Sequence, residues 1–361
     1  MRRWLAALGA VVLVLTGLAV AGNHFEMDER RIRLTGPQGQ LDAVLTLPRQ
    51  RSGPVPVVVF VHGDGPVEAT NDGLYRPQFE ALAKAGVASV SWSKPGVGGS
   101  EGDWLTQDQA ERAREVTQVV GQLRQRSELN PDEVGLWGAS QGGWVVPQVA
   151  ADDPRISFVV LLSPAINWLR QGEFNLRATA ADLDAALKER ERINAVLERN
   201  GDYDDYLAAD PDGEPMSRAR WGFVLKNFRS DATCALHDLA ARGTPVLLVL
   251  AGHDQNVDAH ETERIYRSIL GPQQLQVRWF AGAAHSLART DVEQSQVRGL
   301  LTAVFRPRRL MAPGFLDALA EYAATRTADR KSHETENGQT PASSAPQDAA
   351  CARDPLTTGN R

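Results

Sequence analysis

Short apolar runs without polar alternation recur along the middle of this chain. The first, VPVVVFVH at residues 55–62, is rich in valine, and such a run is typical of a strand buried on both faces of a parallel sheet. Amphipathic stretches with helical spacing, at residues 77–85 and 108–123, lie between such runs. Further apolar runs occupy residues 87–92, 134–137, 158–162, 245–251 and 275–280. The alternation predicts an α/β fold with a mostly parallel, doubly wound sheet.

Three other segments complete the predicted organisation. Residues 31–34 and 41–47, joined by the turn Gly36-Pro37-Gln38-Gly39, predict an antiparallel hairpin at the start of the sheet. No buried strand is expected at about residues 165–240, where helical spacing and clustered aromatic residues predict a helical cap over the end of the sheet. We therefore expect one α/β domain over residues 31–326 and, from its polar composition, a disordered tail over residues 327–361.

The first 22 residues have the composition of a targeting segment. Arg2 and Arg3 precede an apolar stretch that ends in Ala19-Val20-Ala21, the small-x-small pattern of a signal-peptidase site. A retained anchor is the alternative, because the stretch approaches the roughly 20 residues that span a bilayer. We expect an exported protein, either periplasmic or secreted, or one tethered to the membrane by this segment.

Charge and cysteine content exclude several classes of partner. The formal net charge of −6 lacks the basic excess that phosphate backbones require, so we expect no nucleic-acid partner. Two cysteines, Cys234 and Cys351, are too few for a disulfide framework or a metal cluster, and we interpret both as incidental. The charged run KERER at residues 188–192 is interpreted as a solvated helix face.

Small residues crowd one hydroxyl in the stretch GLWGASQGGWVVPQVA. Ser140 follows the apolar run at 134–137 and precedes a stretch that can form a helix, so it is predicted to lie at a strand-to-helix turn. A sharp bend there leaves no room for side chains two residues on either side, which Gly138 and Gly142 satisfy. The pattern Gly-x-Ser-x-Gly in this context predicts a nucleophile elbow.

A serine nucleophile needs a base, and the base needs a carboxylate that fixes its tautomer. His285 follows the last apolar run in a loop of small residues, where an imidazole could project over the sheet. Asp254 lies just past the run at 245–251, again at the carboxyl end of a predicted strand, and Asp258 is the reserve candidate. The chain order Ser140, Asp254, His285 is the order expected for a nucleophile on this architecture.

An oxyanion site is predicted at two backbone amides. The glycines around Asp64 would let its N–H approach an oxyanion that also receives the N–H of Gln141 at the start of the helix. His62, which ends the first buried run, is interpreted as a structural residue bonded to the loop backbone, with a functional role as the alternative.

Four stretches together resemble the α/β-hydrolase superfamily: VHGDG after the first buried run, GASQGG around Ser140, AGHDQNV around Asp254 and GAAHS around His285. With the intervening SKPGVGGSEGDW they are also similar to its dienelactone-hydrolase and acyl-hydrolase branch. The resemblance covers about residues 31–326. It implies that the protein hydrolyses a small acyl substrate, an ester, thioester or amide, through an acyl-enzyme and without a metal or organic cofactor.

The sequence departs from this pattern at one position and leaves the reaction open. Many relatives have an aspartate where this chain has Ser93, and that aspartate braces the following loop, so the local hydrogen bonding here is open.

A serine esterase is the expected function. A peptidase, thioesterase or acyltransferase with the same three residues is an alternative, and so is a non-catalytic binding protein of the same fold, although such proteins commonly lose a catalytic residue.

Overall fold

The computed structural model describes residues 2–211 and 213–336, which form a three-layer α/β sandwich with a helical insertion. The strands are β1 (Asp28–Gly36), β2 (Gly39–Leu47), β3 (Val55–Val61), β4 (Ala88–Trp92), β5 (Leu129–Ala139), β6 (Ile156–Leu162), β7 (Val246–His253) and β8 (Leu275–Ala284). The helices are α1 (Arg2–Gly22), α2 (Arg76–Lys84), α3 (Gln109–Leu123), α4 (Gly142–Asp152), α5 (Trp168–Thr179), α6 (Leu183–Glu198), α7 (Tyr203–Ala209), α8 (Arg218–Asn227), α9 (Thr233–Arg242), α10 (Ala259–Ile269), α11 (Thr290–Glu293), α12 (Gln296–Phe305) and α13 (Phe315–Glu336).

The sheet has the strand order β1-β2-β4-β3-β5-β6-β7-β8. The β1–β2 hairpin pairs antiparallel at one edge, β2 also runs antiparallel to β4, and β4 through β8 are parallel. The parallel strands therefore direct their carboxyl ends toward one edge of the sheet, where α/β enzymes place their ligands. The predicted fold class, a mostly parallel doubly wound sheet with an antiparallel hairpin at its start, is confirmed.

Both faces of the sheet are buried, as the continuous apolar runs predicted. In β3, Val57 and Val59 face one core with side chains of α3, α4, α9 and α10, whereas Val58 and Phe60 face a second core with α2 and α13. Successive side chains of a strand point to opposite faces, so a run buried on both faces cannot include polar residues at alternate positions.

The insertion between β6 and β7 forms a cap with an apolar core of its own. Buried side chains of α6, α7 and α8, among them Leu197, Tyr206 and Trp221, pack together apart from the two sheet cores. Helix α9 behaves differently, because its Leu236 and Leu239 pack into a sheet core beside α4. The cap helices are therefore α5 to α8, and the last part of the predicted cap at about residues 165–240 belongs to the sandwich.

The predicted boundary at residue 326 falls inside a helix. Helix α13 continues to Glu336, so disorder from residue 327 is wrong for residues 327–336. Phe315, Leu319 and Tyr322 hold its first half in a sheet core, and the alanine, arginine and lysine residues that follow favour helix continuation. Residues 337–361, the rest of the predicted tail, lie outside the described residues.

The structure describes the predicted leader and one of the two cysteines. Helix α1 occupies the predicted leader, and within the described ranges no helix combines the length and apolar character needed to cross a bilayer. Cys234 lies at the start of α9, and its interpretation as incidental stays a prediction. Cys351 lies outside the described residues.

Candidate active site

Ser140 occupies the predicted turn between β5 and α4. Its φ is +50°, a left-handed conformation that costs a non-glycine residue free energy and that the surrounding structure must enforce. The Ser140 N–H donates to the carbonyl oxygen of Leu162 in the neighbouring β6 at 2.9 Å, and its carbonyl accepts from the N–H of Gly143 at 2.9 Å. These bonds hold the serine at the carboxyl end of the sheet.

The two glycines that flank Ser140 are sterically required. A Cβ on Gly142 would lie 2.8 Å from the carbonyl oxygen of Val61, and one on Gly138 would lie 2.8 Å from Cγ2 of Val146. Real Cβ atoms do not approach backbone oxygens this closely. The crowding inferred from the sequence therefore has two structural causes, the contact of Gly142 with the end of β3 and the contact of Gly138 with α4.

Asp254 and His285 lie side by side because the strands before them are paired. His253 at the end of β7 is in register with Ala284 at the end of β8, so the next residue of each strand emerges at the same edge. Nδ1 of His285 lies 2.9 Å from Oδ1 and 2.8 Å from Oδ2 of Asp254. The carboxylate is 1% exposed, so this contact is shielded from water.

The Asp254 carboxylate is also bonded to backbone. Its Oδ1 accepts from the N–H groups of Asn256 at 2.8 Å and Val257 at 2.9 Å. The reserve candidate Asp258 has a different contact, since its Oδ1 accepts from the Glu261 N–H at 2.9 Å and caps the amino terminus of α10. The structure thus brings Asp254, not Asp258, to His285.

His62 lies in the interior beneath the loop that follows β3. Its Nε2 is 2.6 Å from the carbonyl oxygen of Trp92, which requires Nε2 to carry the proton, and the residue is 2% exposed. Burial, with the nearby charge of Lys94, lowers the pKa of His62 to about 3. These contacts fit the structural role expected of this histidine.

The predicted oxyanion loop reaches the serine. A Cβ on Gly63 would lie 3.2 Å from Cβ of Ser140, so the backbone before Asp64 passes directly beside the hydroxyl. Gln141 is the first residue before α4 and is 4% exposed, with its side chain 3.4 Å from the Arg112 guanidinium.

Sequence reasoning missed a buried polar cluster behind this loop. Lys94 donates a hydrogen bond to the carbonyl oxygen of Gly63, and Arg112 donates to that of His62 at 2.6 Å. Burial lowers the pKa of Lys94 well below its ordinary value, and the charge of Arg112 adds to this. The signal available in the sequence was a lysine placed just after a buried strand, in the loop SKPGVGGSEGDW.

Ser93 takes over the bracing expected of an aspartate. Its Oγ accepts from the N–H of Ala69 at 3.1 Å, and its carbonyl accepts from Oγ of Ser100 at 2.7 Å. Two loops at the carboxyl end of the sheet are thereby joined through one hydroxyl. The replacement therefore preserves a hydrogen bond at this position.

Ser140 and His285 line one cavity of about 550 Å³ between the sheet edge and the cap. Its walls are mainly aromatic and amide side chains, with Trp137, Trp144 and Trp168 among the former and Gln78, Gln171 and Asn175 among the latter. Asp64 also lines it, and its carboxylate forms two hydrogen bonds with Arg220 of α8. Burial acts to raise the pKa of Asp64, but Arg220 outweighs it and holds the pKa below its ordinary value.

One member of the charged run KERER also faces this cavity. Arg190 of α6 is partly buried and lines the cavity wall, whereas its neighbour Arg192 is exposed. The interpretation of the whole run as a solvated face is therefore wrong for Arg190. The cause is the packing of the cap helices, which rotates this position of α6 toward the cavity.

Comparisons with known proteins agree with the fold. The model of the serine aminopeptidase S33 family matches residues 52–292. An uncharacterized 31.7 kDa protein of Escherichia coli is 26% identical over 140 residues, which are 38% of this chain and 48% of that protein. Polyketide transferase claH of Penicillium crustosum is 22% identical over 229 residues, which are 56% of this chain and 73% of that protein. The chain thus spans about half the length of the first of these relatives.

Solved structures share the architecture at low sequence identity. Est1E from Butyrivibrio proteoclasticus superposes with a TM-score of 0.51 at 15% identity, over 82% of this chain and 99% of that chain. The α/β hydrolase GrgF from a Penicillium species gives 0.50 at 17% identity, over 79% and 99%. At such identities the likeness shows the fold alone. Because the family match covers more than half of the chain, and the sheet has the expected topology, this chain belongs to the serine aminopeptidase S33 family of α/β-hydrolases.

Proposed function

We propose that this protein is a serine hydrolase that cleaves carboxylic esters through an acyl-enzyme formed on Ser140. The observation that carries the proposal is the arrangement of His285, which is hydrogen-bonded through Nδ1 to the shielded Asp254 carboxylate and lines the same cavity as Ser140. This is the arrangement of base and orienting acid that a serine nucleophile requires.

The proposed reaction follows from these contacts. Nδ1–H of His285 donates to Asp254, so Nε2 is unprotonated and can accept the proton of Ser140 as its Oγ attacks the ester carbonyl. The backbone N–H groups of Asp64 and Gln141 stabilise the resulting oxyanion. His285 then gives its proton to the departing alcohol. Water, deprotonated by the same imidazole, releases the acid and restores Ser140.

The charges around the cavity favour an ester over an amino-terminal peptide. An aminopeptidase must bind the free α-ammonium of its substrate, which needs an unpaired carboxylate near the nucleophile. Among the described residues that line the cavity, the acidic side chain is Asp64, and Arg220 already pairs with it. Thioester hydrolysis and acyl transfer use the same first half-reaction and are separated by assay.

Covalent labelling tests the nucleophile. A fluorophosphonate probe should label the wild-type protein at one site, which tryptic mass spectrometry should assign to Ser140, and Ser140→Ala should abolish labelling. Ser286→Ala is the matched control, because Ser286 lines the same cavity and should leave labelling intact. A folded wild-type protein without label at Ser140 would refute the proposal.

A substrate panel tests the reaction class. Turnover should be highest for oxygen esters with water as the acceptor. The panel compares p-nitrophenyl esters with acyl thioesters, with aminoacyl p-nitroanilides, and with esters in the presence of an added alcohol acceptor. Faster release from the aminoacyl amides would replace the esterase assignment with a peptidase.

We further propose that the protein is exported. The composition of residues 1–22 supports this proposal, because a basic pair, an apolar stretch and a small-x-small pattern are typical of a signal peptide. Fractionation of cells that express the full chain, with mass determination of its amino terminus, should find the protein outside the cytoplasm. A start at Gly22 indicates cleavage, an intact Met1 indicates a tether, and recovery only in the cytoplasmic fraction contradicts export.

A further inference from the structure

The cavity contains one charged side chain that has no ion-paired or hydrogen-bonded partner among the described residues, Arg190. Among the described residues that line it, Asp64 pairs with Arg220 and His285 pairs with Asp254. Arg190 has no ion pair or hydrogen bond within the described part of the chain, and its Nε is buried without a partner. Glu173 acts on it only through charge, because that carboxylate is hydrogen-bonded to Arg177.

The structure makes room for this guanidinium. Gly172 lies in the interior of α5, where glycine is less favourable to a helix than alanine. A Cβ at this position would lie 1.8 Å from Nη2 of Arg190. The guanidinium therefore lies against the backbone of α5, in a place that any larger residue at 172 would occupy.

Further polar atoms in the same cavity are also without partners. The indole N–H of Trp137 and the amide oxygen of Gln78 are buried and make no hydrogen bond within the described residues. A buried polar atom without a hydrogen bond destabilises the folded protein, and an unpaired buried charge does so more strongly. An anionic ligand in the cavity could accept a hydrogen bond from the indole N–H of Trp137, whereas the amide oxygen of Gln78 needs a donor such as a hydroxyl or water.

We propose that Arg190 binds a carboxylate of the substrate, so that the preferred substrates are monoesters of dicarboxylic acids rather than neutral esters. This inference rests on the proposed hydrolase function, since it concerns the cavity that contains Ser140. Arginine suits the role because its planar guanidinium donates two parallel hydrogen bonds to a carboxylate, and a partly buried site strengthens such bonds.

The test compares anionic and neutral esters of the same length. The substrates are the p-nitrophenyl monoesters of adipic, pimelic and suberic acid. Each is matched by the neutral diester in which the free carboxyl group is methylated and the p-nitrophenyl ester is kept. All rates are corrected for hydrolysis without enzyme. For at least one chain length, wild-type kcat/KM should be ten times higher for the monoester or more. Arg190→Gln should lower that ratio roughly 10- to 100-fold, the range of a hydrogen bond to a charged group.

Matched variants separate binding from general disturbance of the cap. Arg192→Gln lies two residues away on the same helix, is exposed, and should leave the ratio unchanged. Gly172→Ala should lower the ratio by displacing the guanidinium, without loss of thermal stability, because alanine favours the helix. Arg190→Lys should retain part of the preference. A wild-type ratio near one, or a ratio that Arg190→Gln leaves unchanged, overturns the inference.

A binding measurement distinguishes failure of this inference from failure of the hydrolase proposal. Free adipate, pimelate and suberate should raise the Tm of the wild-type protein, and the shift should disappear in Arg190→Gln. A protein that hydrolyses no ester but keeps this shift has the anion site without the proposed reaction. Ester turnover with no shift and no charge preference retains the reaction and refutes the anion site.

Discussion

The side-chain nitrogen of Lys94 donates a hydrogen bond to the carbonyl oxygen of Gly63, which belongs to the same peptide unit as the N–H of Asp64. The C=O and N–H of a planar trans peptide point in opposite directions, so a bond that fixes one also fixes the other. Arg112 makes the equivalent contact with His62 at the preceding peptide. Two buried basic side chains therefore orient the backbone proposed to stabilise the oxyanion.

Replacement of Lys94 by methionine should lower kcat more than it changes KM. The substitution keeps the volume but removes the donor, so the Asp64 N–H becomes free to turn away from the oxyanion. Loss of one oxyanion donor costs about 100- to 1,000-fold in kcat, and we expect roughly 10- to 100-fold for one that is present but less well oriented. Steady-state kinetics on p-nitrophenyl butyrate would give the change in kcat and the change in KM separately.

Two further variants define what Lys94 contributes. Lys94→Gln retains an N–H donor and should recover part of the lost kcat. Lys188→Met, at an exposed position of α6, should behave as the wild type. A Lys94→Met enzyme whose loss lies wholly in KM would show that the lysine binds substrate rather than orienting the loop.

Asp254→Asn should remove most of the activity while leaving the fold intact. Two backbone N–H groups hold Oδ1, so the amide oxygen of asparagine will take that place and its NH₂ will face Nδ1 of His285. Nδ1 must then accept, and the proton moves to Nε2, where the imidazole can no longer deprotonate Ser140. In the serine-protease triad the same substitution costs about 10⁴-fold in kcat, and we expect a loss of that order.

Asp258→Asn is the matched control for this prediction. Asparagine caps a helix about as well as aspartate, so α10 should keep its amino-terminal cap and kcat should stay close to the wild-type value. Equal losses in the two variants, compared by kcat and by near-ultraviolet circular dichroism, would contradict the assignment of Asp254.

Gly142→Ala should destabilise the protein and lower turnover together. The added methyl would meet the backbone oxygen of Val61 at 2.8 Å, and a backbone oxygen cannot move aside as a side chain can. Insertion of a methyl into such a contact typically costs about 1–3 kcal/mol. Urea unfolding gives the free energy, and Gly121→Ala provides the comparison, since a Cβ there meets nothing within 4 Å in α3 and should be neutral or stabilising. A stable, fully active Gly142→Ala protein would remove the steric argument for the turn.

The sequence predicted those features that depend on local pattern. The parallel strands follow from apolar runs, and the turn at Ser140 follows from glycines that a strand-to-helix bend requires. The contact between Asp254 and His285 could be expected because strand ends meet at the ligand edge of a parallel sheet, while their catalytic role stays a prediction. Each of these inferences needs only a short stretch of chain and one general rule.

The features that were missed depend on packing between distant segments. Whether Arg190 faces solvent or the cavity is decided by the rotation of α6, which the separate core of the cap sets. The contact of Lys94 with Gly63 joins the loops after two neighbouring strands, whose order was not available from the sequence. Helix α13 extends past residue 326 because its first half packs on the sheet. A boundary placed from composition alone does not take this packing into account.

The free energy of unfolding should decrease as the pH is lowered below about 6.5. Burial keeps His62 neutral in the folded protein, with a pKa near 3, while the unfolded chain takes up a proton at the ordinary value of about 6.5. Between these values the unfolded state binds more protons, so stability is fully present above pH 6.5 and is lost as the pH falls toward 3. One proton corresponds to at most about 1.4 kcal/mol per pH unit. Urea unfolding at pH 7.5, 6.5, 5.5 and 4.5 gives the dependence of the free energy of unfolding on pH. His62→Gln should reduce this slope by the equivalent of about one proton. The control His237→Gln, at an exposed position, should not reduce it. Identical slopes in the wild type and His62→Gln would contradict a neutral buried imidazole as the source of this acid sensitivity.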